Sequence, residues 1–449
     1  MNAIPVFVGR AELECELEQL RDEGKDVKRL KADFKRLMRR DLTKPAAQIA
    51  AQELMLAAQG LPTIKGYPHI EPSDLPGIRK QRPRFRLPKL TLRGKALLDR
   101  LHGAWLGRCA GCLLGKPVEG IRSNQLWPYL RATGQYPLAF YISPKASKKV
   151  FAKCNIPENR QRRLRIPFEA GCMPEDDDTN YTVTGLAILK QRGRDFTPAH
   201  VGDFWLSNIP YHHVCTAEKI AYRNMVAGIL PPLSATFCNP YREWIGAQIR
   251  ADFFGYVAVG KPALAAEFAW RDASISHVKN GIYGEMWVAA MLAAAPALDS
   301  PAGVIRAGLA QVPKRSRLTQ HVRRVMECRK AGMTAGEMEA DIHARWDEDN
   351  RHHWCHTISN AEIVATGLLW GEADFGRSVG IAVQACFDTD CNGATVGSIV
   401  GMMLGARKLP KRWVAPLNDT LQTGVAGYHT VKISGLAEET LELHKKSAR

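Results

Sequence analysis

Two acidic knots hold the residues best suited to chemistry in this 449-residue chain. Asp388-Thr389-Asp390-Cys391-Asn392-Gly393 sets two carboxylates one residue apart, behind an apolar run that ends at Phe387 and ahead of a Gly-rich apolar segment. Acids in such surroundings need a partner, and a hard cation is the partner their oxygens suit. The second knot, Glu175-Asp176-Asp177-Asp178-Thr179, strings together four acids that repel one another unless solvent or a metal neutralises them. Together the knots point to one shared cation site.

Competing motifs fail on spacing. An EF-hand loop that began at Asp388 would need a bidentate acid at its twelfth position, which is Ile399. A phosphohydrolase with an Asp nucleophile after a strand would need far more chain beyond Asp390. His352-His353-Trp354-Cys355-His356 and the Cys109/Cys112 pair lack the second half of a zinc knuckle, so they read as a histidine loop and core thiols. Neither a phosphate-binding Walker loop nor a nucleophile elbow occurs.

The elements that must position the acids are helical. Gly103, Gly107, Gly111 and Gly115 recur at four-residue spacing and form one helix face that a second helix approaches closely. The segment stops in Lys116-Pro117-Val118-Glu119-Gly120, which presents Glu119. From Leu90 onward, apolar-periodic segments rich in Ala, Leu and Gly predict an all-α fold. Ahead of it, the periodicity from Glu12 to Met38 predicts one long amphipathic helix, and Ala46 to Ala58 a second that folds back on it. Pro62 to Pro88 reads as an extended linker whose basic run (Arg79, Lys80, Arg82, Arg84, Arg86) is either a solvated connector or a phosphate contact. The basic stretch Lys145 to Arg165 reads as a loop insertion beside the acids, which either steers a diphosphate or offsets their charge. Lys314 to Lys330 reads as a charged helical face.

The formal net charge of +17, from 62 Lys and Arg against 45 Asp and Glu, favours an anionic partner. Nucleic acid is not favoured, because the basic runs lack interleaved aromatics for base stacking. The 11 cysteines, an odd number set in apolar patterns, suit a reduced, cytoplasmic setting. Met1 to Glu14 lacks the pattern of a secretory signal, and the longest apolar run, Met286 to Leu298, is too short to span a bilayer. The expected organisation is a helical, basic extension over residues 1–90 and a catalytic domain over residues 91–449.

Taken together, four blocks resemble the ADP-ribosylglycohydrolase family. They are the glycine helix closing with Gly115-Lys116-Pro117-Val118-Glu119, the Asp177-Asp178-Thr179 knot, the Asp272 to Gly284 stretch with Ser276-His277, and Asp388-Thr389-Asp390. The resemblance runs from about Leu98 to Gly405. It implies a compact, orthogonal multi-helix domain that hydrolyses a glycosidic bond to ADP-ribose with two Mg2+ or Mn2+ ions. Carried over, the metal ligands are Asp176, Asp177, Asp178, Asp388, Asp390 and Cys391, where Asp176 and Cys391 stand in place of the family's usual threonines. Glu119 takes the place of the acid at the cleft mouth, with Asp177, Asp178 and Asp388 as its catalytic companions. Ser276, His277 and Gly393 fall on substrate-contacting positions, although a helix cap beside a core histidine and simple helix packing need the same residues. The expected substrate is an ADP-ribosylated protein, nucleobase or small acceptor. The alternative is a catalytically silent, nucleotide-binding or structural relative. The N-terminal extension has no counterpart in the family core, and it either recruits a partner, a second protomer or the target, or braces the main domain.

Overall fold

The computed structural model describes residues 7–448, of which 65% are helical. The first six residues of the extension lie outside the described residues. Among the described residues the only strands are β1 (Thr420–Gln422) and β2 (Thr430–Lys432), an antiparallel pair with Leu421 opposite Val431. No described helix is long and apolar enough to cross a membrane. The all-α expectation therefore holds.

The stretch from Glu12 to Met38 does not form one helix. It makes α1 (Arg10–Asp22) and α2 (Lys31–Leu37), because Gly24 turns the backbone at φ +68° and Asp26 accepts a hydrogen bond from the Lys28 amide to start a short 3-10 turn. Then α3 (Pro45–Gln59) folds back, and Leu13, Leu17, Leu20, Phe34, Leu37, Ala51 and Met55 form a small core of their own with Cys238. The expected linker is not a free connector either. It contains α4 (Leu75–Gln81), Arg79 pairs with Glu267 at 2.6 Å, and Arg82 donates to Gln311 at 2.9 Å. Glu71 lies buried against Arg317 at 3.0 Å, so the cluster after Lys314 is more than a charged face.

The extension is locked to the rest by charge as well. Arg242, almost fully buried, holds Glu16 at 2.6 Å and Glu23 at 2.8 Å. Breaking such a pair strands a buried charge, which typically costs about 3–5 kcal/mol.

Two long helices form the centre. In α5 (Gly94–Gly115) the predicted glycine face meets Gly393, Gly397 and Gly401, which also recur every four residues. A Cβ on Gly107 would run into the Gly397 carbonyl, and one on Gly111 into the Gly393 carbonyl. The two backbones thus touch directly, a separation only glycine permits. The acid knots begin two further helices: α6 (Asp177–Arg192) follows Asp176, and α8 (Thr389–Leu404), which carries the facing glycines, follows Asp388, while α7 (Thr357–Gly371) packs alongside.

Candidate active site

The N-termini of α6 and α8 meet at the C-terminal end of α5. Two helix N-termini present unpaired amides and partial positive charge, which suits a cluster of carboxylates. Asp176 caps α6 by accepting the Asp178 amide at 3.1 Å, and Thr389 ties the start of α8 to the Gly115 carbonyl at 2.9 Å. Immediately before Asp388, Cys386 and Phe387 both adopt left-handed backbone, at φ 63° and 58°. Neither residue favours that conformation, so the turn that aims Asp388 stores strain, as functional turns often do.

Five aspartates collect here. Asp176, Asp178, Asp388 and Asp390 are buried, whereas Asp177 is half-buried and Glu119 beside them is half-exposed. Burial and then the neighbouring acids push Asp177 and Asp390 well above the usual carboxylate range. Burial also raises Asp178, against the opposing pull of Arg108, and lifts Asp388 to about 6. The cluster is thus short of positive charge.

Only part of the deficit is met by the chain. Lys116 Nζ lies 2.7 Å from Asp176 Oδ2, so both oxygens of Asp176 are engaged. Arg108, fully buried, donates to Asp178 Oδ1 at 3.1 Å and to Asp252 Oδ2 at 2.8 Å. That leaves Asp178 Oδ2 and Asp390 Oδ1 buried with no hydrogen-bond partner among the described residues. An unpaired buried carboxylate oxygen is costly, and a bound cation would satisfy both at once. The donor set of carboxylates with one thiol, Cys391, therefore fits a divalent ion.

Around this centre stand residues that the sequence motifs did not pick out. Cys355 donates to Asp388 Oδ2 at 3.7 Å, and Asn360 Oδ1 accepts both the Asp388 amide and the Asn392 side chain. Arg163, from the basic insertion, reaches Glu119 Oε2 at 3.0 Å. Only the position of the basic run just ahead of the acids gave a hint of this contact. Ser276 and His277 belong to a buried hydrogen-bond hub. Both are buried, and their side-chain hydrogen bonds join each other at 2.8 Å and Arg250 at 3.1 Å, inside a hub where Arg250 also pairs with Glu218 and Asp272. Gly393 sits in the α5–α8 seam.

A second cluster with metal-like composition proves to be a clamp. Asp22, His352 and His356 converge, yet each imidazole already accepts at Nδ1: from the Trp244 indole at 3.0 Å and from the Ile358 amide at 3.1 Å. A neutral ring that accepts at Nδ1 carries its proton on Nε2. His352 Nε2 donates to Asp22 Oδ2 at 3.0 Å, whereas His356 Nε2 lies 3.8 Å from the same oxygen and has no hydrogen-bond partner among the described residues. Through this clamp α1 grips the turn that leads to Cys355 and Asn360.

The family model of the ADP-ribosylglycohydrolases matches residues 93–448. The chain belongs to the ADP-ribosylglycohydrolase family. Its fold agrees with a solved "ADP-ribosylglycohydrolase-related protein complex", at TM-score 0.50 and 20% identity over 79% of this chain and 100% of that one. No curated protein matches the chain. ADP-ribosylglycohydrolases act on glycosidic bonds of ADP-ribose, and the acid cluster lies within the matched residues.

Proposed function

We propose that this ADP-ribosylglycohydrolase removes ADP-ribose from a modified protein, nucleobase or small acceptor, using two Mg2+ or Mn2+ ions held among Asp176, Asp177, Asp178, Asp388, Asp390 and Cys391. The observation that carries this reading is the pair of buried, unpartnered oxygens, Asp178 Oδ2 and Asp390 Oδ1, between two helix N-termini. Bound there, divalent ions would supply Lewis acidity and orient the sugar hydroxyls.

The chain's own residues do the rest. Cleavage at the anomeric carbon leaves a cation-like ribose, which the surrounding carboxylates stabilise as its charge develops. Glu119 Oε1 has no hydrogen-bond partner among the described residues while Arg163 holds Oε2, so it stands ready to move a proton at the cleft mouth. Arg108 fixes Asp178, and Asn360 fixes the backbone of Asp388, so neither acid swings away when the substrate enters. Arg160, whose Nη1 is buried without a partner among the described residues, approaches Gly120 next to Glu119 and offers a contact for the diphosphate. The buried Glu16–Arg242 and Glu71–Arg317 pairs favour the extension as a brace over a detachable recruiting arm.

The test is calorimetric titration with ADP-ribose in magnesium buffer and again after chelation. Binding that depends on metal, and that Asp388→Asn abolishes while the circular dichroism is unchanged, is the expected result. Equal binding by the metal-free protein would sink the assignment.

A further inference from the structure

The two sulfur-bearing corners of the acid cluster are not alike. Cys112 shares one with Asp176 and Asp178, and Cys391 shares the other with Asp178 and Asp390; within each, the ligand atoms lie within 4.8 Å of one another. The Cys112 corner already holds a cation. Lys116 Nζ sits on Asp176 Oδ2 at 2.7 Å, and the other Asp176 oxygen accepts the Asp178 amide. At the Cys391 corner no protein cation contacts Asp390, and the free oxygens of Asp178 and Asp390 have no partner among the described residues. Asp178 is fully buried, Asp390 is 5% exposed and Cys391 6% exposed. Water therefore has little access to compete for that corner.

We propose that the Cys391 corner is a mixed oxygen and sulfur site which selects a thiophilic divalent ion of the Zn2+, Co2+ or Fe2+ class over Mg2+. The inference rests on the metal-dependent reading above and names the ion class of one of its two positions. Mg2+ takes oxygen ligands in near-ideal octahedral geometry and gains little from sulfur, whereas borderline ions bind carboxylate and thiolate together. On coordination the Cys391 S–H bond breaks, its proton passes to solvent, and a sulfur lone pair goes to the ion. No atom changes oxidation state. At the Cys112 corner Lys116 already neutralises Asp176, so the two corners differ in the cation they hold.

The experiment titrates the metal-free protein with Co2+, followed in parallel by near-ultraviolet and visible absorption and by calorimetry. Wild type is expected to develop a sulfur-to-cobalt charge-transfer band that saturates at a single equivalent. Cys391→Thr is expected to bind Co2+ in the calorimeter without the band, and to shift the Co2+ over Mg2+ preference at least tenfold toward Mg2+. Cys112→Ser is expected to keep the band, which assigns the sulfur, and melting curves confirm that both variants fold. Calorimetric binding by wild type with no band would overturn the sulfur ligand while leaving the metal-dependent reading intact. A band that survives in Cys391→Thr would overturn it as well. Absence of any Co2+ or Mg2+ binding by wild type would bring down both.

Discussion

Arg163 joins Glu119 to the end of the glycine helix, because its Nη2 donates to Glu119 Oε2 at 3.0 Å and also to the Lys116 carbonyl. The pair is partly exposed, so its loss should hardly change stability, by less than about 1 kcal/mol. On the proposed reading its value lies in holding a carboxylate beside the acid cluster. Arg163→Ala is expected to leave the melting temperature unchanged and to weaken ADP-ribose binding several-fold in magnesium buffer, measured by calorimetry.

Lys116 neutralises Asp176 from inside the site. Lys116→Met removes the one positive charge on Asp176 Oδ2, which leaves that carboxylate free to attract cations and destabilises the metal-free state. The variant should melt lower than wild type without metal and gain more on adding Mg2+. Saturation at a hundred times the dissociation constant is worth about 2.7 kcal/mol, so the difference is readable by calorimetric melting.

Gly107 tests the seam. Gly to Ala inside a helix ordinarily stabilises by about 0.5–1 kcal/mol. Gly107→Ala is expected to reverse that sign and cost at least about 1–3 kcal/mol, since its Cβ would strike the Gly397 backbone. Gly336→Ala, in the helix Ala335–Arg345 where a Cβ meets nothing within 4 Å, should show the ordinary gain. Urea unfolding of the two variants side by side checks both signs.

Glu339 gives a pH signature away from the acids. Burial raises its carboxyl to about 7, with the Gln384 amide opposing. A carboxyl raised from 4.5 contributes stability that is complete below pH 4.5 and is lost as pH rises through 7. Wild type should therefore lose up to about 3 kcal/mol across that window that Glu339→Gln retains, as followed by urea unfolding at stepped pH.

Asp22 reports on the contact between α1 and the turn around His352. Asp22→Ala leaves the Nε2–H group of His352 without its acceptor, a loss of about 1–3 kcal/mol in urea unfolding. Because the same turn supports Cys355 and Asn360 against Asp388, divalent affinity should fall with it, which calorimetry would detect.

Much of the site was legible because its signals are local. Adjacent acids and glycines at four-residue spacing carry their meaning within a few residues, and the structure brings Asp176, Asp177, Asp178, Asp388 and Asp390 together beneath Glu119. Other features have no local signature. The break at Gly24 sits inside a pattern that stays apolar-periodic on both sides, so periodicity alone passes over it. Arg317, Arg242 and Lys116 look like surface cations until partners far along the chain are seen to bury them. The left-handed pair Cys386 and Phe387 is equally hidden, because neither residue type announces that conformation.

The two acid knots lie far apart in the chain and meet only where the α5–α8 seam closes. A contact of such long range carries a large loop-closure cost, so it is expected to follow the chain's local elements. On the ribosome the first knot emerges long before the second, so the growing chain carries half a centre through nearly half of its synthesis. On the proposed metal-dependent reading, cation capacity arrives with completion of the native topology, and an ion bound there would double as a certificate that the molecule has finished folding.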